Sequence, residues 1–182
     1  MAYLETIRYE EASPEVQGLL DEIKKKLRRV PNIYATVAHS PVALKAFLEY
    51  GARLKGGEFD AQETEAAALS IAQANHCHYC LAAHTASAKM SGLSEEDTWQ
   101  LRRGTSGDVK LKAVAALAKD IVETQGHPSP EKLDAFFAAG YSKAALVELI
   151  ALVSLNIFTN YFNHITDPTV DFPSYKEFPG EP

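Results

Sequence analysis

Cys77-His78-Tyr79-Cys80-Leu81-Ala82-Ala83-His84 carries both cysteines of the chain, with a histidine four residues beyond the second. Read as helix, the run sets positions i, i+3 and i+7 along one face. Residues three apart then have Cβ atoms about 5–6 Å apart, near the range a disulfide closes with modest adjustment. His84 falls one turn beyond Cys80, over the same sulfur. Read instead as the CxxC of a thioredoxin-like unit, the run needs a strand before it. No stretch of the chain shows sustained period-two alternation with β-branched residues, so strands are not expected. The helical reading decides the fold class, which is all-α.

That arrangement is what a dithiol/disulfide couple with its own proton acceptor requires. A cysteine attacks only as thiolate, and at a pKa of about 8.5 a free one is mostly protonated near neutral pH. Cys77 stands near a predicted helix N-terminus, where open amides and the macrodipole favour an anion. His84 can take a proton from Cys80 directly or through one water. A carboxylate held against His84 would fix its tautomer and raise its basicity. Two other readings of the same residues stand beside this one. Free cysteines are commonly buried as small apolar groups. Cys77, Cys80, His84 and either His76 or His78 also have the ligand chemistry of zinc, although i, i+3 and i+7 on one straight helix do not readily surround a tetrahedral ion.

Outward from this run, almost every segment reads as helix. Ser13-Pro14 and Ser40-Pro41 are start signals of the N-cap and N1 kind, and Val30-Pro31 and Gly56-Gly57 are stops. Asp60 with Glu63 forms a capping-box pattern that opens a helix through Glu65, Leu69 and Ile71. The pattern weakens at Ala74-Asn75-His76, which predicts a bend and a fresh start near Cys77. That helix runs to Met90, with Ser91-Gly92 as its stop. Ser94 with Asp97, Asp108, Ser129-Pro130 and Ser142 announce four more. The expected organisation is one domain over 1–182, with a core at about 12–165 and an extended, proline-bearing tail at 166–182.

Composition narrows the function. A net charge of −6 argues against a nucleic-acid binder, and the dense positive patch at residues 24–29 reads as the solvated face of an amphipathic helix. The start of the chain shows no basic segment followed by an apolar one, so no secretory signal is expected. The apolar run from Ala144 to Phe162 is interrupted by Glu148, Ser154, Asn156, Thr159 and Asn160, which fits a helix buried in protein better than one facing lipid. A cytoplasmic location follows, where a close cysteine pair is more often catalytic or metal-binding than structural. That run is apolar nearly all round, and both chain ends look poorly placed to fold alone. Both features point to an oligomer.

Glu65, then eleven residues to Cys77-x-Tyr79-Cys80-x-x-x-His84, resembles the alkyl hydroperoxidase D-like group of the carboxymuconolactone decarboxylase-like superfamily. Val30-Pro31-Asn32-Ile33-Tyr34 with His39-Ser40-Pro41 resembles the N-terminal half of that family. Asn156 to His164 with Val170-Asp171-Phe172-Pro173 resembles its peroxidase-related branch. The likeness spans roughly residues 12–173. It implies a helical homo-oligomer, a trimer or hexamer. It also implies Cys80 as the peroxidatic cysteine, Cys77 as the resolving one, and His84 with Glu65 as a proton relay. Where the founding hydroperoxidases place a second histidine just before the latter cysteine, this chain has Tyr79.

The expected function is an antioxidant thiol peroxidase. It would reduce hydrogen peroxide or alkyl hydroperoxides and be restored by a lipoyl- or thioredoxin-type thiol, without metal, haem or flavin. The alternatives are a disulfide reductase adaptor that recycles another peroxidase, or a zinc-stabilised interaction domain.

Overall fold

A computed structural model describes residues 3–178. Among these residues the chain is all-helical and has no strand. A short 3-10 turn at Tyr9–Glu11 precedes α1 (Pro14–Leu27), α2 (Asn32–Val37), α3 (Pro41–Leu54), α4 (Ala61–Ala74) and α5 (His78–Met90). These are followed by α6 (Glu95–Arg102), α7 (Val109–Glu123), α8 (Pro130–Ala138) and α9 (Lys143–Thr166).

Side-chain caps set most helix starts. Ser13, Ser40 and Ser142 each accept a backbone N–H from three residues on, and Asp108 accepts from Lys110 and Leu111. Asp60–Glu63 and Ser94–Asp97 are complete capping boxes, each satisfying two otherwise open donors. The sequence signals did not show α2. Its N-cap is Pro31, which has no capping side chain, and the helix is six residues long.

The middle of the bundle is α4. Residues 66–72 of this helix are buried all round, and four of the seven are alanine. Small side chains let α5, α6, α7 and α9 approach it closely. Ala67 and Ile71 pack with Val114 and Leu117 of α7, Phe136 of α8 and Leu149 and Val153 of α9. A second apolar cluster joins Val16, Leu20 and Ile23 of α1 to Leu44 of α3, and it includes Cys77, Cys80 and Leu81. The cysteines therefore sit where the two clusters meet along α4.

Glu63 locks the start of α4 to the rest of the bundle. It receives the Tyr141 hydroxyl at 2.6 Å and the Lys110 ammonium at 3.0 Å. Burial pushes its carboxyl up, but the hydrogen bonds from Tyr141, the Asp60 N–H and Lys110 outweigh it and hold the pKa below the usual carboxylate range. Glu148, the one carboxylate inside the apolar run, accepts the Glu58 N–H at 2.6 Å. Gly57 makes room for this contact, since a Cβ there would lie 2.1 Å from the carboxylate.

By length and composition, α9 is apolar enough to cross a membrane. Its packing is inverted in the second half. There Asn156, Thr159, Asn160, Asn163 and Thr166 face inward, while Phe158, Tyr161 and Ile165 are exposed.

Both chain ends are held by the chain itself, which corrects the expectation that they lack anchorage. At the N-terminus, the Ile7 N–H bonds to the Ala35 carbonyl, and the Tyr9 hydroxyl bonds to Asp21. At the C-terminus, Asp171 takes Arg29 at 2.7 Å, and Arg29 also lies over the Phe172 ring. Further along, the buried Arg102 donates to the Lys176 carbonyl and lies over the rings of Tyr175 and Phe178. Internal contacts thus account for the order of both ends, and the oligomer argument loses that support. The last four residues of the expected tail, 179–182, lie outside the described residues, as do 1 and 2.

Candidate active site

The site forms at the bend between α4 and α5. Asn75 ends α4, and His76 turns left-handed at φ 54°. The next amide, Cys77 N–H, folds back onto the Ala72 carbonyl. This closes the helix in the manner of a Schellman turn, with histidine in the place glycine usually takes. Cys77 is therefore the N-cap of α5 and not a helical residue, as the straight i, i+3, i+7 reading had it. Its Sγ accepts the Cys80 N–H at 3.3 Å. The two cysteines are joined as a disulfide with Cα atoms 5.3 Å apart. Both are buried, at 1% and 3% exposure.

Glu65 and His84 meet across α4 and α5. The imidazole Nδ1 of His84 donates to Glu65 Oε2 over 2.8 Å, with the His84 side chain 27% and the Glu65 side chain 18% exposed. With Nδ1 engaged as donor, the neutral ring presents Nε2 as its base. Glu65 is thus not a freely solvated early-helix residue. It sets the tautomer of the histidine one helical turn beyond Cys80.

Two further residues reach the sulfurs, and sequence reasoning did not assign them. Asn160 Nδ2 donates to Cys80 Sγ at 3.1 Å, and Asn163 Nδ2 donates to the same sulfur at 3.3 Å. Asn163 Nδ2 is also 3.9 Å from Cys77 Sγ. Asn75, at the bend, donates to Asn160 Oδ1 at 2.9 Å and so holds that amide with its nitrogen toward the sulfur. The signal was present in the spacing. Asn156, Thr159, Asn160 and Asn163 fall at i, i+3, i+4 and i+7, a polar stripe on an otherwise apolar helix.

Tyr79 points away from the Glu65–His84 pair. Its hydroxyl donates to Asp171 at 2.7 Å and accepts the Ile33 N–H at 3.1 Å, and Phe172 packs edge-on against its ring. Burial and then the Asp171 hydrogen bond push the phenol well above its usual range, so it stays protonated. It anchors the C-terminal tail where the hydroperoxidases have a histidine. His78 also meets the tail, with Nδ1 2.7 Å from the Tyr175 hydroxyl. The donors a zinc site would need are not gathered. No group of three metal-ligating side chains is placed for an ion among the described residues.

Residues 41–120, from the first turn of α3 to within α7, match the Carboxymuconolactone decarboxylase family. That span contains Glu65, Cys77, Cys80 and His84. The matched segment spans somewhat under half of the chain. Solved structures share its fold over nearly the whole length. An uncharacterised peroxidase-related protein from Ralstonia eutropha JMP134, described as an alkylhydroperoxidase AhpD core, superposes with a TM-score of 0.83 at 18% identity. The match covers 93% of this chain and 92% of that one. A peroxidase-related protein from Silicibacter sp. TM1040 gives 0.77 at 20% identity, with 92% of each chain covered. The debrominase Bmp8, solved as a cysteine-to-alanine variant with 2,3,4-tribromopyrrole, gives 0.80 at 18% identity, with 94% and 92% covered. No curated protein matches the chain. The family match stops short of α9 and the tail, so Asn160 and Asn163 at the sulfurs, and Asp171, which takes the Tyr79 hydroxyl, lie outside it.

Proposed function

We propose that the chain is a thiol peroxidase of the carboxymuconolactone decarboxylase-like superfamily, which reduces hydrogen peroxide or an alkyl hydroperoxide through a Cys77/Cys80 dithiol–disulfide cycle. The observation that carries the proposal is the Glu65–His84 hydrogen bond, which arms a base one turn from Cys80.

In the reduced protein, His84 Nε2 takes the thiol proton of Cys80, and the Glu65 carboxylate stabilises the imidazolium. The Cys80 thiolate attacks the distal peroxide oxygen and the O–O bond breaks. Cys80 becomes a sulfenic acid, and the departing alkoxide or hydroxide takes the proton from His84. The Cys77 thiol then condenses with the sulfenic acid, releasing water and forming the disulfide. A cellular dithiol reduces that bond by exchange and leaves oxidised itself. Both sulfurs are nearly inaccessible, which favours a donor thiol on a narrow arm, as a lipoyl group offers, over one on a flat protein face.

The protein acts as a cytoplasmic homo-oligomer in this reading, with the exposed apolar face of α9 covered by a second copy. Sedimentation at micromolar concentration should show a trimer or hexamer, and a lone monomer would contradict it. The catalytic reading is tested by following peroxide loss in the presence of a dithiol donor. Wild type should turn over and Cys80→Ser should not. Dithiol oxidation without peroxide loss would favour the adaptor role. Turnover of a bromopyrrole with peroxide untouched would favour chemistry like that of Bmp8.

A further inference from the structure

Cys80 Sγ is approached by two side-chain amides from one helix, and a packing role alone does not require that. Asn160 is completely buried and Asn163 is 5% exposed. Each directs its nitrogen at the same sulfur, at 3.1 and 3.3 Å. A disulfide sulfur is a weak acceptor and gains little from two donors. A thiolate is a strong one, and hydrogen bonds to a charged group are worth about twice those between neutral groups. Desolvation opposes the charge at such a depth, so a buried thiolate needs donors in place of water. Cys77 has a single backbone donor, the Cys80 N–H at 3.3 Å, with the Asn163 nitrogen further off at 3.9 Å.

The other end of Asn163 completes the asymmetry. Its Oδ1 is buried and lacks a hydrogen-bond partner. Buried acceptors without donors are uncommon in native structures. Reduction of the disulfide creates a donor beside it, the thiol of Cys77. The Asn160 amide is held the right way round by Asn75, whose Nδ2 occupies Asn160 Oδ1 at 2.9 Å.

We propose that Asn160 and Asn163 form a two-amide cradle that holds Cys80 as the thiolate, while Asn163 Oδ1 accepts the remaining thiol proton of Cys77. The proposal rests on the dithiol cycle above and adds what selects the attacking sulfur. The proton leaving Cys80 goes to His84 Nε2, and the amides hold the charge it leaves behind. No bond to either asparagine forms or breaks.

The test reads thiol ionisation without peroxide. The reduced full-length protein is alkylated with iodoacetamide across pH, and the rate at each cysteine is measured by peptide mass. Cys80 should ionise at lower pH than Cys77. Asn160→Leu removes one donor at similar volume and should raise the Cys80 pKa by about one to two units, as expected for one charge-assisted bond. Asn160→Asp keeps the shape and an acceptor for Asn75 while placing a carboxylate oxygen against the sulfur, and should raise it at least as far. Both variants are checked for a native circular dichroism spectrum, and Asn163→Leu serves in place of one that fails to fold. A Cys80 pKa unchanged in a folded variant, or a Cys77 more acidic than Cys80 in wild type, would overturn the cradle. Peroxide turnover is scored separately. A shifted pKa in a protein that ignores peroxide leaves the cradle standing and removes the peroxidase reading.

Discussion

Glu65→Gln slows peroxide reduction by roughly ten- to a thousand-fold, the usual size of an acid–base contribution. The substitution keeps the side-chain volume, and its amide oxygen can still accept from His84 Nδ1, so the ring keeps its place and tautomer. What is lost is the negative charge 2.8 Å from the imidazole. Without it the imidazolium that forms as Cys80 ionises is less favourable, and the thiol stays protonated to higher pH. The checking measurement is the pH dependence of Cys80 alkylation together with the rate of peroxide loss. Both should move in the same direction. Equal thiol reactivity at every pH in Glu65→Gln and wild type would remove the relay from the mechanism.

Cys77→Ser has the second large effect, and it falls on the fate of Cys80. Serine is a strong N-cap, and its hydroxyl can accept the Cys80 N–H as the Cys77 sulfur does, so α5 keeps its start. The sulfenic acid formed at Cys80 then has no partner thiol and climbs to sulfinic acid under excess peroxide. Sustained turnover with a dithiol donor is lost after the first cycle. Intact mass should show one or more added oxygens, all on the Cys80 peptide. A variant that cycles as wild type does would assign resolution to a thiol outside this chain.

Much of the fold was readable because its helix starts are written in local chemistry. Ser13, Ser40, Asp60, Ser94, Asp108 and Ser142 each cap a helix with their own side chain. The bend at Asn75-His76 was legible as a gap in helical pattern, and it places Cys77 as a cap. Helix α2 was not legible, because a six-residue helix opened by proline has neither a polar cap nor enough turns to show a period.

The site divides along the same line. Cys77, Cys80 and His84 are close in sequence, so their spacing alone brings them together. Glu65 reaches His84 only because the chain reverses at His76, and the family resemblance, not the spacing, singled it out. Asn160 and Asn163 approach from about eighty residues away. Their polarity read as a sign of burial within protein, which it is. The direction in which the amides point depends on how α9 packs against the bend, and no local rule states that. Tyr79 was legible as a departure from the hydroperoxidases, but its tie to Asp171 depends on the course of the tail.

The dithiol cycle is tested most directly by the intact mass of the reduced wild-type protein after one equivalent of peroxide. A loss of about two mass units, with both thiols consumed and no oxygen added, is the predicted result, because the sulfenic acid at Cys80 condenses with Cys77. Folded protein that keeps both free thiols in excess peroxide would contradict the account.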